Sequence, residues 1–342
     1  MPDDRETIEA TALWLAAARK PVFHKEMVEP PRTGEVRVRT IASAISQGTE
    51  MLVYRGEVPP NLPLDLPTLA GSFSFPIKYG YSTVGRVVDT GEWVWQHAVG
   101  DLVFVHHPHQ TVFDVPASLA IQLPQNIDPV RGLFTANLET AVNVLLDAPL
   151  RIGETVVVFG HGTVGALVAQ LLRLCGAGQV LVVEPIPLRR ELALKLGAHE
   201  ALEPGEGANE RIRELTGARG ADLAIEVSGS GAALQSAIDI VAEEGTVLVV
   251  SWFGTKPVEL QLGAHFHRGR VRLRSSQVGR IDPALSPRWD AARRTQLVTE
   301  LLPRLRLVEL VSHRIPFLDA PEAYSLIDER CAETMQVILT YP

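Results

Sequence analysis

The residues with the clearest chemistry lie near the middle of the chain. Thr155-Val156-Val157-Val158-Phe159 gives way at once to Gly160-His161-Gly162-Thr163-Val164-Gly165, and Ala166 to Leu174 is helix-forming and almost uniformly apolar. A buried strand that turns directly into a helix is predicted. In that setting Gly160 takes the tight turn, Gly162 leaves room for an anion to reach the backbone, and Gly165 lets the helix lie close on its strand. The free N–H groups of the helix start face the anion. Val180-Leu181-Val182-Val183-Glu184 reads as the next strand, with an acid at its end suited to ribose hydroxyls. Together they predict an adenine dinucleotide on the turn, contacted by Gly160, His161, Gly162, Thr163, Val164, Gly165 and Glu184. A turn that only packs well would leave the acid unexplained. A second cluster, His106-His107-Pro108-His109, suggests a transition metal, but Pro108 stiffens the turn and adjacent histidines point different ways. No metal is expected there, and the loop is expected at a cleft mouth with one imidazole toward substrate.

The surrounding elements must hold these residues. Before the glycine turn the chain is β-rich: Glu35 to Ile41 alternates apolar with charged residues, as a half-buried strand does, and Gly85 to Asp89 and Gly100 to Val105 repeat the pattern. Between them Gly56 to Pro76, rich in Pro and Leu, reads as a long loop of the kind that lines binding sites. From Pro129 to Leu146 the pattern is helical. After the turn, strand and helix alternate through 221–227, 232–241, 246–251 and 271–276, which means parallel βαβ units. A final strand, 335–340, closes the chain. The reading is an α/β protein in which a β-rich domain, 1–125 completed by 285–342, accompanies a doubly wound parallel-sheet domain over 126–284. Arg288 to Arg294 and Pro303 to Leu307 are locally basic and read as solvated helix faces.

Composition excludes several classes. The 342 residues allow two domains with a substantial core, and 46% hydrophobic with 21% charged is ordinary for a globular protein. A formal net charge of −8 argues against nucleic acid or an anionic membrane as partner. The N-terminal flank, with Asp3, Asp4, Arg5, Glu6 and Glu9 before the short apolar run 11–18, does not suit a signal peptide, and no stretch reaches membrane-spanning length. Only Cys175 and Cys331 are present, so a disulfide framework is excluded and a cytoplasmic setting is expected.

A series of short pieces runs along the chain: Ser46-Gln47-Gly48-Thr49-Glu50 with Tyr54-Arg55-Gly56, then 79–88 (Tyr-Gly-Tyr-Ser-Thr-Val-Gly-Arg-Val-Val), then Val99-Gly100-Asp101-Leu102-Val103. It continues through Asn137-Leu138-Glu139-Thr140-Ala141, the glycine turn, Leu194 to Ala198 and Ile315 to Ala323. In their order and spacing, over nearly its whole length, the chain resembles the medium-chain dehydrogenase/reductases. The resemblance implies a GroES-like β-rich catalytic domain joined to a Rossmann domain, with the substrate cleft between them. The serine-glycine-threonine and glycine-tyrosine pieces are also similar to the group containing bacteriochlorophyllide dehydrogenase, which sets no substrate.

Departures from the family pattern direct the chemistry. Where zinc-containing members carry Cys, His and Glu, this chain has Gln47, Tyr81 and Ser82, and only Glu139 remains. A Gln carbonyl, a phenol and one carboxylate make a poor zinc set, so zinc is not expected. Hydroxyl groups can then stabilise the developing oxyanion and deliver its proton. The resemblance implies that Thr49 lies next to the substrate oxygen, with Tyr81 in place of a metal ligand and Ser82 and Gln47 orienting them; alternatively Tyr81 only fills vacated volume. For Glu139, pairing with a hydroxyl, action as a base and a structural bond to the backbone all stand open. Leu52 occupies the place where some relatives relay protons through a histidine.

Glu184 favours NAD over NADP, because a carboxylate repels a 2′-phosphate. Arg189 and Arg190 complicate this, since an arginine accommodates NADP and also contacts ribose in NAD-using relatives. By resemblance, Ser228 lies near adenine or the nicotinamide ribose, and Ser251, Trp252, Ser276 and Gln277 lie near the nicotinamide. A homodimer through paired Rossmann edge strands is expected, with 246–251 and Trp252-Phe253 the segment concerned. The function expected is zinc-independent hydride transfer between NAD(H) and an alcohol or carbonyl. The alternatives are NADPH-dependent quinone or enone reduction and a dinucleotide-binding protein without turnover.

Overall fold

The computed structural model describes residues 6–64, 66 and 68–342. Asp3, Asp4 and Arg5 of the N-terminal flank, and two positions of the 56–76 loop, lie outside the described residues. The chain opens with β1 (Ile8–Ala17) and β2 (Lys20–Val28), an antiparallel pair. Then come β3 (Glu35–Ile45), α1 (Thr49–Arg55), β4 (Thr83–Thr90), β5 (Leu102–Val105), β6 (Val112–Pro116) and β7 (Ile121–Gln122). Helices α2 (Pro129–Gly132) and α3 (Thr135–Asp147) lead into six parallel strands: β8 (Thr155–Phe159), β9 (Gln179–Val183), β10 (Glu200–Leu202), β11 (Ala221–Glu226), β12 (Val241–Val249) and β13 (Arg272–Ser275). The helices between those strands are α4 (Thr163–Leu174), α5 (Pro187–Lys195), α6 (Glu206–Leu215), α7 (Gly231–Ile240) and α8 (His265–Arg268). After α9 (Ala291–Leu301) come β14 (Val311–Pro316), α10 (Ala320–Glu329) and β15 (Gln336–Thr340). No helix among the described residues is long and apolar enough to cross a membrane.

Two compact units result, Met1–Ala136 with Leu307–Pro342, and Asn137–Arg306. Both divisions fall later in the chain than the 125/126 and 284/285 read from sequence. The reasons are local. In the first unit α2 packs on β3, β4 and β5, where the missing Cβ of Gly132 admits Leu123 and Val84. In the second unit α9 is tied to α3 by Arg294.

The sheet of the first unit runs β14-β15-β3-β4-β5-β7, with β6 also on β3. One apolar cluster, including Val36, Val38, Val87, Val103 and Phe113, fills one side of it. Another joins Met51, Leu52, Val53 and Tyr54 of α1 to Phe317, Tyr324 and Ile327. The 56–76 loop is irregular as expected, and Leu64, Leu66, Leu69 and Phe75 pack on that second cluster. The β1–β2 hairpin is absent from the sequence reading, because its turn at Ala18-Arg19 lacks the Gly, Asn or Asp that marks a hairpin. Contacts from elsewhere hold it: the Arg19 N–H donates to Tyr54 O at 2.7 Å with Arg19 at φ +56°. The hairpin also changes the character of β3. Alternation places Arg37 toward solvent, yet Arg37 is buried, paired with Asp114 at 2.9 Å and donating to the backbone oxygens of Glu6, Val28 and Glu29.

The second unit has strand order β10-β9-β8-β11-β12-β13, all parallel. The order reverses between β8 and β11, where an open α/β sheet offers a crevice at its carboxyl ends. Because β12 is paired on both sides, by β11 and β13, it has no free edge, and the edge expected at 246–251 belongs to β13 instead. The 303–307 run is not helical: α9 ends at Leu301, and Leu305 and Leu307 turn inward while Arg306 donates to the Lys195 carbonyl.

Candidate active site

All five residues of β8 are buried, so the strand delivers the glycine turn at a fixed place. Gly160 sits at φ +98°, and a Cβ on it would lie 2.8 Å from the Ser228 Cα. A Cβ on Gly165 would lie 2.1 Å from the Gly160 oxygen. Neither position tolerates a side chain, because the atoms met are backbone. Gly162, the residue that caps α4, makes no side-chain hydrogen bond to the helix, and a helix start after a glycine turn is a place where an anion binds. Arg189 puts Nη1 3.8 Å from where a Cβ on Gly162 would stand. Arg190 is committed elsewhere, donating to the Glu184 and Pro185 oxygens at 2.8 and 2.7 Å.

Glu184 is buried at the end of β9 and clasps both turns: Oε2 accepts the His161 N–H at 2.7 Å and Oε1 the Ile186 N–H at 3.0 Å. A carboxylate has lone pairs beyond these two for a hydroxyl donor. The His161 ring is pushed down to about 4, by burial first and by the Arg189 charge second, so it is neutral near pH 7. On the far side of the crevice Glu226, absent from the sequence reading, organises the next turn. Its Oε1 accepts the Ser228 N–H and hydroxyl, both at 2.7 Å, and the Gly229 N–H at 2.8 Å, while Gly229 N–H also donates to Ser251 Oγ at 2.8 Å. An acid closing a strand just before Ser-Gly-Ser is the signal that could have found it. Ser228 and Ser251 are therefore brought together, and Trp252 follows, partly exposed.

Ser276 and Gln277 stand just past β13, fastened to α3. Ser276 Oγ donates to Asp147 Oδ2 at 2.7 Å, Asn143 Nδ2 donates to the Gln277 oxygen at 3.2 Å, and Arg294 Nη1 to the Val278 oxygen at 2.5 Å. The same guanidinium meets Asn143 Oδ1 at 2.6 Å and Glu139 Oε1 at 2.7 Å. Thus Arg294 is not on a solvated helix face: its side chain is 7% exposed, and Glu139 is the second half of a nearly buried ion pair. An ion pair with Arg294 is none of the three roles left open for Glu139 from sequence.

In the first unit the turn Ser46-Gln47-Gly48 leads into α1, with Thr49 its first residue. Tyr81 donates to Ser46 Oγ at 2.5 Å and shares a hydrogen bond with Thr49. Burial pushes the phenol up to about 12, against the Ser46 and Thr49 hydrogen bonds and with the help of the Glu50 charge. It holds its proton at neutral pH and is a donor. Gln47 occupies the same turn, partly exposed. Ser82 does not orient Tyr81: its hydroxyl is buried and donates to the Leu133 oxygen at 2.6 Å.

Two of the three imidazoles of the histidine loop are buried. His107 is buried, stacked on Phe113 at 3.6 Å and 6°, and burial holds its ring down to about 3. His109 is fully buried between Ser43 and Glu50. Both rings are taken up inside the β-rich unit, His107 by Phe113 and His109 by the polar pair Ser43 and Glu50. Among the described residues no cluster of three His, Cys, Asp or Glu could hold a metal ion.

Comparison with known proteins agrees with this framework. The family described as zinc-binding dehydrogenase matches residues 163–294. The chain is similar to the D-guloside 3-dehydrogenase of Escherichia coli K12, 28% identical over 327 residues that cover 90% of this chain and 93% of that protein. Among solved structures, a putative zinc-binding dehydrogenase from Sinorhizobium meliloti bound to NADP superposes with a TM-score of 0.80 at 20% identity, covering 97% of this chain and 99% of that one. An alcohol dehydrogenase from Escherichia coli CFT073, complexed with NADH, superposes with a TM-score of 0.79 at 19% identity and the same coverage.

Proposed function

We propose that the chain is an oxidoreductase of the medium-chain dehydrogenase/reductase superfamily, alcohol dehydrogenase-like, and that it moves hydride between NAD(H) and an alcohol or carbonyl without zinc. The observation that carries this reading is the Tyr81 phenol, held protonated against Ser46 and Thr49. Bound nicotinamide supplies or takes up the hydride. In the reducing direction negative charge develops on the carbonyl oxygen, and Tyr81 gives that oxygen its proton, while the Ser46 and Thr49 hydroxyls stabilise the phenolate left behind. Oxidation runs the same transfer backward, with the substrate hydroxyl returning the proton to Tyr81. The glycine turn and the start of α4 would receive the pyrophosphate, and Glu184, at the end of β9, would accept from the adenosine ribose.

Zinc does not fit the donors present. Tyr81 spends its proton on Ser46, Ser82 is bound to Leu133, and Glu139 is neutralised by Arg294; zinc takes thiolate, imidazole or free carboxylate. The alignment with a guloside dehydrogenase over nearly the full chain favours a polyhydroxylated substrate, and Cys175 and Cys331, both exposed and neither in a disulfide, suit a cytoplasmic setting. Arg189 beside Gly162 is the one feature that suits NADP and, with it, enone reduction.

The test is a fluorescence titration with NADH and NADPH, followed by turnover on glycosides, alcohols, carbonyls and enones with metal analysis of the purified protein. Tyr81→Phe is expected to lower kcat by about a hundredfold or more, the scale of a lost general acid, with NADH affinity unchanged. Unchanged turnover removes Tyr81 from the mechanism, and one tightly held zinc per chain overturns the metal-free reading. NADH binding with no turnover on the whole panel would leave a dinucleotide-binding protein.

A further inference from the structure

Beneath the hydroxyl cluster lies a charge that the proposed reaction does not itself use. Glu50, the second residue of α1, has no exposed surface. Its Oε2 accepts the Ser46 N–H at 3.0 Å, and its Oε1 accepts from His109 Nε2 at 2.8 Å and from the Tyr324 hydroxyl. His109 is buried too, and its Nδ1 meets Ser43 Oγ at 2.7 Å, which in turn meets the Tyr341 hydroxyl at 2.9 Å. To serve the carboxylate, His109 carries a proton on Nε2, so the imidazole is fixed in orientation from both ends.

Burying a carboxylate is costly, and replacing such a network by apolar residues is often neutral or stabilising. Its position offers a use. Ser46 is held at its N–H by Glu50 and accepts at its Oγ from Tyr81, so one residue connects the buried charge to the proton donor. The groups facing Tyr81 are Ser46 and Thr49, the Glu50 charge from α1, and the Tyr79 ring edge-on. Those facing Glu50 are His109 from the loop before β6 and Tyr324 from α10, with Tyr54 stacked on Tyr324. Lys78, the cation close to His107, is engaged by Glu26 and Gln110.

We propose that Glu50 is the positioning residue of this site: held by His109 and Tyr324, it fixes the Ser46–Thr49 turn under the Tyr81 hydroxyl and sets a negative charge against premature loss of the Tyr81 proton. This rests on Tyr81 being the proton donor, but its first test needs no turnover. Glu50→Gln keeps the shape and an acceptor for the Ser46 N–H while removing the charge. In ring-labelled tyrosine, followed by carbon NMR with the Tyr81 resonance identified by its loss in Tyr81→Phe, Tyr81 is expected to ionise roughly one pH unit lower in Glu50→Gln. The alkaline limb of kcat is expected to move the same way, with KM for NADH unchanged. A Tyr81 that titrates at its original pH in folded Glu50→Gln overturns the proposal. Should that variant not fold, Tyr324→Phe, which keeps the carboxylate, takes its place: Tyr81 must then titrate no lower than before, and a drop overturns the proposal equally. Absence of turnover in the unaltered protein would sink the functional reading and leave the titration result standing.

Discussion

Glu184 holds two backbone N–H groups, and those two bonds close the glycine turn against the end of β9. Its removal is therefore expected to act twice, on the turn and on the proposed ribose contact. In Glu184→Ala, NADH affinity is expected to fall between about tenfold and a hundredfold, the worth of a hydrogen bond to a charged group. NADPH, freed from repulsion and still within reach of Arg189, is expected to lose less. Paired fluorescence titrations measure the ratio, and an equal loss for both cofactors would show that Glu184 does not discriminate between them. The glycine spacing and the acid after the second strand were legible because their chemistry is local. The partners of Tyr81 were legible only in part: Thr49 lies in a motif, whereas Ser46 and not Ser82 or Gln47 takes the phenolic proton.

At the scale of elements, α3, α9 and the turn after β13 are joined by one guanidinium. Arg294 bonds Glu139 and Asn143 of α3 and the Val278 oxygen, while Asp147 takes Ser276 and Arg274. Truncating the arginine leaves Glu139 nearly buried without its cation. Arg294→Met is expected to cost about 3 kcal/mol, as for a buried pair stripped of one partner, and Glu139→Gln added to it should restore part of the loss. Urea unfolding of the two single variants and the double variant checks this; additive losses would mean that the pair is not coupled. The sequence reading took Arg288 to Arg294 as solvated because arginines alternate with apolar residues there. Alternation gives the face of a helix, and what covers that face comes from a part of the chain far away.

For the molecule as a whole, Asp328 of α10 ties the hairpin turn through Arg19 and the end of α1 through Arg55, at 2.8 and 2.6 Å. Burial alone would raise its pKa, but the hydrogen bonds from Arg19 and Arg55 outweigh burial and hold it below the usual carboxylate range. The stability this contributes is present above the unfolded carboxylate pKa and is lost as pH falls through the folded one. Because Arg19 is 56% exposed, solvent screening keeps the contribution small. Asp328→Asn should lower the thermal midpoint at neutral pH, with the difference from the unaltered protein closing in acid; a constant difference across that range would exclude the ion pairs as its source. The sequence by itself determined the alternation of strands and helices after residue 150, the glycine turn with its acid, and the family frame of two units, because periodicity and short motifs are set by neighbours in the chain. Tertiary structure alone decided that Arg37 and Arg294 are buried, that β13 carries the edge expected at 246–251, and that His109 serves Glu50 and not a ligand. Glu139 and Arg294 stand 155 positions apart, and Glu50 and His109 stand 59 apart. A charge finds its partner through the packing of whole elements, and no local pattern of residues records which partner that will be.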